Sequence, residues 1–181
     1  MNFDELENDY NIEKFKNKAK RIKGGQKGKR VERELVAILN KKFGEGFSRS
    51  VGSGNRWGQV KNLPKHAQDT LTGDLCCPEG FKFVCESKGG YSKIDLNSAL
   101  ENGSADLDSF LDQVEQDAKR CDRIPLLFWR RDRKPWLVFC PTKHMEGDYK
   151  YKFIYGEYTC VPLREFLKLP EGFFFIQNPL N

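Results

Sequence analysis

The sequence predicts an α/β domain with a mixed central β-sheet flanked by helices, and three observations lead there. Apolar residues recur at helical spacing in two segments, 28–43 and 107–121. Four short β-rich runs come as two pairs, each closed by turn residues. A chain of 181 residues with 38% hydrophobic content suits one domain around one core, so a single active or binding site is sought.

Composition sets the outer limits. The formal charge of +5 fits a polyanionic partner without requiring one. No apolar run reaches the roughly 18 residues of a membrane span, and the charged N-terminus lacks the core of a signal peptide, so a cytoplasmic protein without membrane attachment is expected. The six cysteines contain no CxxC pair, which in a reducing compartment implies free and mostly buried thiols. Cys140 and His144 have the spacing of half a zinc site, but four-ligand sites arrive as two such pairs.

The first 27 residues read as a charged arm: Asp4, Glu5, Glu7, Asp9 and Glu13 precede a basic run that continues into Arg30 and Arg33. Such an arm is either a solvated tail or a device that neutralises phosphates, in which case Arg30 and Arg33 are substrate contacts. Val31, Leu35, Ile38 and Leu39 then mark a helix over 28–43 with Gly44 as its stop. Residues 47–51 read as a short strand, closed by the flexible Gly52-Ser53-Gly54 turn. Residues 55–72 are polar and irregular and are expected to form a long loop. Within it Arg56, Trp57, Lys61, Lys65 and His66 mix charge and aromatic surface in a way that suits phosphate contact and base stacking, with Arg56 and Lys61 the chief candidates. His66, a lone loop histidine, is read as a polar surface residue and not as a base.

A strand at 73–77, a Pro78-Glu79-Gly80 turn and a strand at 81–88 come next and carry the chemistry. Side chains two apart on a strand share a face, so Glu86 and Lys88 stand side by side while Cys85 and Ser87 take the other face. With a three-residue turn Asp74 falls on the face of Glu86, within about 8 Å of it; with a two-residue turn it falls on the opposite one. Mg²⁺ takes one or two carboxylates and keeps its other positions for water and phosphate. Asp74 and Glu86 supply that number, and Lys88 supplies positive charge or orients a water. The competing reading is a solvent-facing Glu–Lys pair beside an ordinary Asp turn.

After a polar loop through Asn102, Leu107, Phe110, Leu111, Val114, Ala118 and Cys121 mark the buried face of a second helix. Segments 124–129 and 136–140 read as a hairpin with a basic tip. Aromatic-rich strand material at 151–158, a short helix near 163–169 and the apolar run 173–176, expected in the core, complete the chain.

Four ordered segments, Gly28-Lys29-Arg30-Val31-Glu32-Arg33-Glu34-Leu35-Val36, Arg49-Ser50-Val51-Gly52-Ser53, Gly73-Asp74-Leu75 and Cys85-Glu86-Ser87-Lys88, resemble the archaeal-type Holliday junction resolvases of the PD-(D/E)xK superfamily. The resemblance covers roughly residues 28–140 and implies a restriction-endonuclease-like fold over a single nuclease domain at 28–181, with 141–181 as an extension. It implies that Asp74 and Glu86 bind Mg²⁺, for which Mn²⁺ substitutes, that the Ser87 carbonyl is a further ligand, and that Lys88 is catalytic. Glu32 completes the acidic cluster, with Glu34 as the competing helix acid, and Arg49 and Ser53 are placed near the phosphate.

The function implied is a structure-selective DNA endonuclease cutting four-way junctions as a homodimer, since such a junction has two equivalent scissile strands. A repair, restriction or phage-type endonuclease on duplex or flap DNA is the nearest alternative, and a silent DNA-binding module of the same fold is the alternative from another class. Walker-type loops, dinucleotide fingerprints and nucleophile elbows are absent from the sequence.

Overall fold

The computed structural model describes residues 24–50, 61–91, 93–145, 147 and 149–176, with side chains from Gly28 onward. The arm at 1–23 and the Gly52-Ser53-Gly54 turn with Arg56 and Trp57 lie outside the described residues. Helix α1 (Gly24–Phe43) leads to β1 (Ser48–Arg49), α2 (Lys65–Leu71), β2 (Leu75–Cys76) and β3 (Phe83–Gly89). Helices α3 (Leu96–Asn102) and α4 (Ala105–Cys121) follow, then β4 (Ile124–Arg130) and β5 (Leu137–Pro141). Strands β6 (Phe153–Tyr155) and β7 (Tyr158–Pro162) and the short helices α5 (Leu163–Phe166) and α6 (Glu171–Phe174) end the domain.

The central sheet has five strands in the order β3-β4-β5-β7-β6. Strand β3 runs parallel to β4, and every other pairing is antiparallel, so the sheet is mixed. The parallel pair is joined by a crossover through α3 and α4, as a parallel connection requires. Period-two alternation splits the core in two. Phe83, Cys85, Leu126 and Phe128 pack against Val31, Leu35 and Leu39 of α1. Val84, Leu127 and Trp129 pack against Leu107, Val114 and Ala118 of α4. Glu86 and Lys88 have the parity of Val84 and therefore belong to the α4 side of β3, an edge strand of this sheet.

The two long helices form as their spacing predicts. In α4 the six expected residues are all buried, the Ser104 hydroxyl accepts from the Leu107 N–H at 3.4 Å, and Asp122 ends the helix in the left-handed region. The hairpin of β4 and β5 also forms, with exposed Asp132, Arg133 and Lys134 at its tip. Three expectations are corrected. The polar stretch before Asn102 contains α3, capped by the Asp95 carboxylate accepting from the Ser98 N–H at 3.0 Å and anchored by buried Ala99. The long loop contains α2, begun after Pro64.

The third correction concerns the segments at 73–88, which do not make a hairpin. Strand β2 pairs with β1, with Arg49 opposite Leu75. The C-terminal segment takes the place a hairpin partner would need: Phe81 bridges to Phe175, the Lys82 N–H donates to the Phe174 carbonyl at 2.9 Å and the Ile176 N–H to the Gly80 carbonyl at 2.8 Å. Phe43, Phe47 and Phe81 meet Phe174 and Phe175 in an aromatic cluster that ties the end of α1 to this segment. The apolar run 173–176 is thus partly core, as Phe174 is fully buried.

Helix α1 approaches β3 through Gly89. A Cβ at this position would lie 2.4 and 2.8 Å from the two Cγ atoms of buried Val31, so no larger residue fits without separating helix and strand. Gly89→Ala should destabilise the domain by about 1–3 kcal/mol in urea unfolding. Adding Val31→Ala should restore part of that loss, giving a clearly sub-additive double-mutant cycle. Simple additivity would show that the contact does not set the spacing.

Candidate active site

Asp74 enters the site from the residue before β2. Gly73 precedes it with φ +84°, and a Cβ there would sit 2.8 Å from the Cys85 carbonyl oxygen, so a glycine lets this segment lie directly against β3. The Asp74 N–H donates to the Cys85 carbonyl at 2.9 Å, and its Oδ2 accepts from the Ser87 N–H at 2.9 Å and the Ser87 hydroxyl at 3.3 Å. On the other side the Ser50 N–H donates to the Asp74 carbonyl at 2.8 Å. The aspartate is therefore clamped by main chain from both neighbouring strands, and its carboxylate rests on the edge of β3.

Glu86 is 1% exposed. Its Oε1 meets the Lys88 ammonium at 2.5 Å and accepts from Gln113 Nε2 at 2.8 Å, while Lys88 Nζ donates to Gln113 Oε1 at 3.0 Å. Gln113 on α4 thus holds both ends of the Glu–Lys pair with one amide. Lys88 also stands 5.3 Å from the ring centre of Phe110, one helical turn before Gln113. These hydrogen bonds engage Asp74 Oδ2 and Glu86 Oε1, and they do not use Oδ1 or Oε2.

Packing of Val31 against Gly89 brings Glu32 to the site from the α1 side. The Glu32 charge acts on Asp74, while Glu32 Oε2 is held by Arg49 Nε and a terminal guanidinium nitrogen, each at 2.5 Å. Glu34 is directed elsewhere, in a two-point pair with Arg130 whose second contact measures 2.6 Å; the Arg130 guanidinium lies over Trp136. Arg30, Arg33 and Lys61 are exposed, Arg30 and Arg33 on the first turns of α1 and Lys61 ahead of α2. Arg49 stands in the site as the partner of Glu32, and Ser53 and Arg56 fall outside the described residues.

The electrostatics follow from burying carboxylates together. Desolvation and the neighbouring Asp74 charge push Glu86 up to about 8, against the opposing pull of Lys88. Burial also raises Asp74, more than the Ser87 N–H bond and Lys88 lower it, and Glu32 adds to the rise. Burial by itself would lower Lys88, yet Glu86 and Asp74 together hold it above the usual lysine range. Asp117, one turn beyond Gln113, is raised by burial and adds to the negative field on Glu86.

Among the described residues no group of three or more His, Cys, Asp or Glu side chains is gathered closely enough to hold a metal ion. The carboxylates that could hold a cation are those of Asp74 and Glu86, each with one oxygen outside the hydrogen bonds named above. Two hard oxygen donors in a desolvated setting fit Mg²⁺, which takes one or two carboxylates. Cys140 and His144 carry no such character: Cys140 is buried, and desolvation raises its thiol to about 12. Sequence pattern alone does not single out Gln113 or Asp117, because a Gln and an Asp on the polar side of a helix resemble any solvated pair.

The raised Glu86 has a measurable consequence for stability. Its proton stabilises the folded state fully below the ordinary glutamate value of 4.5, and that contribution is lost as pH rises through about 8. In chelator-treated protein, urea unfolding should lose on the order of a few kcal/mol between pH 5 and pH 8.5. Glu86→Gln should flatten the dependence, and an unchanged slope in that variant would contradict the assignment.

Comparisons with known proteins bear on this geometry. The family model described as "Phage putative PDDEXK endonuclease" matches residues 23–165. No curated protein matches the chain. Among solved structures, Hjc of Archaeoglobus fulgidus, a Holliday junction resolvase from an archaeal hyperthermophile, is similar at 19% identity, covering 81% of this chain and 91% of that one with a TM-score of 0.38. The family match spans well over half of the chain and takes in Glu32, Asp74, Glu86, Lys88 and Gln113 alike. The chain belongs to this phage family of PD-(D/E)xK endonucleases and is a nuclease with a mixed α/β fold of the restriction-endonuclease-like class.

Proposed function

We propose that this nuclease is a Mg²⁺-dependent, structure-selective DNA endonuclease that hydrolyses phosphodiester bonds in four-way Holliday junctions as a homodimer. The observation that carries the catalytic part is the buried carboxylate pair of Asp74 and Glu86, with the Lys88 ammonium against Glu86. The junction and the dimer are supported by the resolvase-like motifs at 28–36, 49–53, 73–75 and 85–88 and by the twofold symmetry that paired cuts demand.

In the proposed reaction Asp74 and Glu86 would hold the cation, with the Ser87 carbonyl as a candidate third donor. The bound ion supplies Lewis acidity toward the scissile phosphate and a more acidic water. Lys88, beside Glu86, would orient a water or meet the negative charge developing on the phosphate. Gln113 holds Lys88 and Glu86 in register for that role. Glu32 is proposed to complete the acidic cluster at the metal, while Arg49 and the exposed Arg30, Arg33 and Lys61 are proposed contacts to the phosphate backbone around the cut, with Ser53 and Arg56 assigned the same role.

A second reading, cutting of duplex or flap DNA in a repair, restriction or phage setting, is favoured by the 55–72 insertion. Its helix α2 borders the site: the Ser50 hydroxyl donates to the Leu71 carbonyl at 3.3 Å, and Lys65 reaches the Arg120 carbonyl at the end of α4 at 3.0 Å. No helix among the described residues is long and apolar enough to cross a membrane.

The test is cleavage of a synthetic four-way junction beside matched duplex, flap and single-stranded DNA with Mg²⁺ or Mn²⁺. Wild type should make paired symmetric nicks in the junction. Asp74→Asn, Glu86→Gln and Lys88→Ala should each slow cutting by at least about 100-fold while retaining DNA binding. Preferential cutting of duplex or flap would keep the chemistry and replace the substrate, and binding without cutting under every metal would overturn the catalytic proposal.

A further inference from the structure

We infer that the sheet beside Lys88 carries a track for an unpaired DNA strand, running from the catalytic lysine across β4, β5 and β7 to Tyr151. The inference rests on the nuclease reading of the Asp74–Lys88 site and goes beyond the duplex arms of a four-way junction by placing an unpaired strand beside the cut. The row is fixed by backbone register: Lys88 pairs with Trp129, Trp129 with Leu137, and Leu137 with Pro162. Three strand spacings make this row about 14 Å long, the reach of about four stacked nucleotides.

Two adjoining hollows, of about 290 and 320 Å³, lie along the row and share Leu96, Leu137 and Pro162 as lining. Their floor is apolar and includes Trp129, whose buried indole N–H has no hydrogen-bond partner among the described residues. Their other lining is cationic: Arg131, Lys134 and Arg164 around the first, Lys150 and Lys152 around the second. Among the described residues no acidic side chain lines either hollow; Glu165 stands nearby, 3.8 Å from Arg164. Charge complementarity therefore points to a polyanion.

Tyr151 identifies which polyanion. The residue is 48% exposed, with Lys150 at 5.3 Å and the Arg164 guanidinium at 5.8 Å from its ring centre. An exposed aromatic ring with two cations against it, lining a hollow with an apolar floor, suits a base stacked on the ring with its phosphates on those charges. A duplex keeps its bases stacked on one another and has no free face to offer, so the occupant is single-stranded DNA.

The experiment uses full-length Asp74→Asn protein in metal-free buffer and follows the anisotropy of a labelled oligothymidylate of about ten nucleotides over a range of salt. Tyr151→Ala should weaken binding about tenfold and Tyr151→Phe should keep it. Lys134→Ala with Lys152→Ala should reduce the slope of log affinity against log salt by about 1.4, two phosphates at about 0.7 each. All three positions are exposed, so folding should be preserved. Unchanged affinity and slope would overturn the track, and an equal loss on blunt duplex would overturn its preference for unpaired DNA. Because binding is read separately from the cleavage test, loss of binding in the variants together with a wild type that cuts nothing would sustain the track and sink the nuclease proposal. Junction cutting that depends on Asp74, combined with unaltered binding in the Tyr151 and lysine variants, would sink the track alone.

Discussion

The clamp that Asp74 makes on the edge of β3 is the constraint from which the site follows. Its N–H and carboxylate bond to Cys85 and Ser87, so the carboxylate lies beside Glu86 regardless of how its own side chain would otherwise sample rotamers. The clamp depends on Gly73 for close approach and on β2 pairing with β1 instead of β3. That pairing depends in turn on the C-terminal segment, whose Phe174 and Phe175 occupy the other end of β3 and pull Phe81 into an aromatic cluster. A strand edge that would otherwise invite a foreign strand is thereby converted into a rigid seat for acid groups.

Gathering carboxylates in a desolvated place costs free energy, and the surroundings both maintain and moderate that cost. Lys88 and Gln113 moderate it by direct bonds to Glu86, and Ser87 does so for Asp74. Glu32 and Asp117 maintain it from opposite sides of the sheet. A divalent cation is the natural relief for such a site, since its charge offsets the desolvation and the Asp74 repulsion that together favour a proton on Glu86. Strain of this kind is the expected exception to an otherwise consistent sequence.

The architecture was legible where periodicity is strong. Val31, Leu35 and Leu39 announce α1, the six buried residues of α4 announce that helix, and the alternation of Glu86 with Lys88 predicts the contact they make. The short helices α2 and α3 escaped because seven residues carry little helical signal and tertiary contacts stabilise them. The hairpin at 73–88 was misread because local turn chemistry at Pro78-Glu79-Gly80 contains no information about a competing partner about 95 residues away. Glu32 and Glu34 sit two apart on a helix and face different directions. Which of them faces Asp74 is decided by where Val31 meets Gly89, a tertiary fact no spacing reveals. Gln113 was invisible for the same reason, as its significance depends on the register of α4 against β3.

The central claim is that Asp74 and Glu86 together form a divalent-cation site. Calorimetric titration of Mn²⁺ at pH 7 in buffers of different ionisation enthalpy tests it most directly, because a cation that displaces the proton favoured on Glu86 must release it. The account predicts one binding event with net proton release, lost in both Asp74→Asn and Glu86→Gln. Binding that survives either substitution, or that proceeds with no proton release, would contradict it.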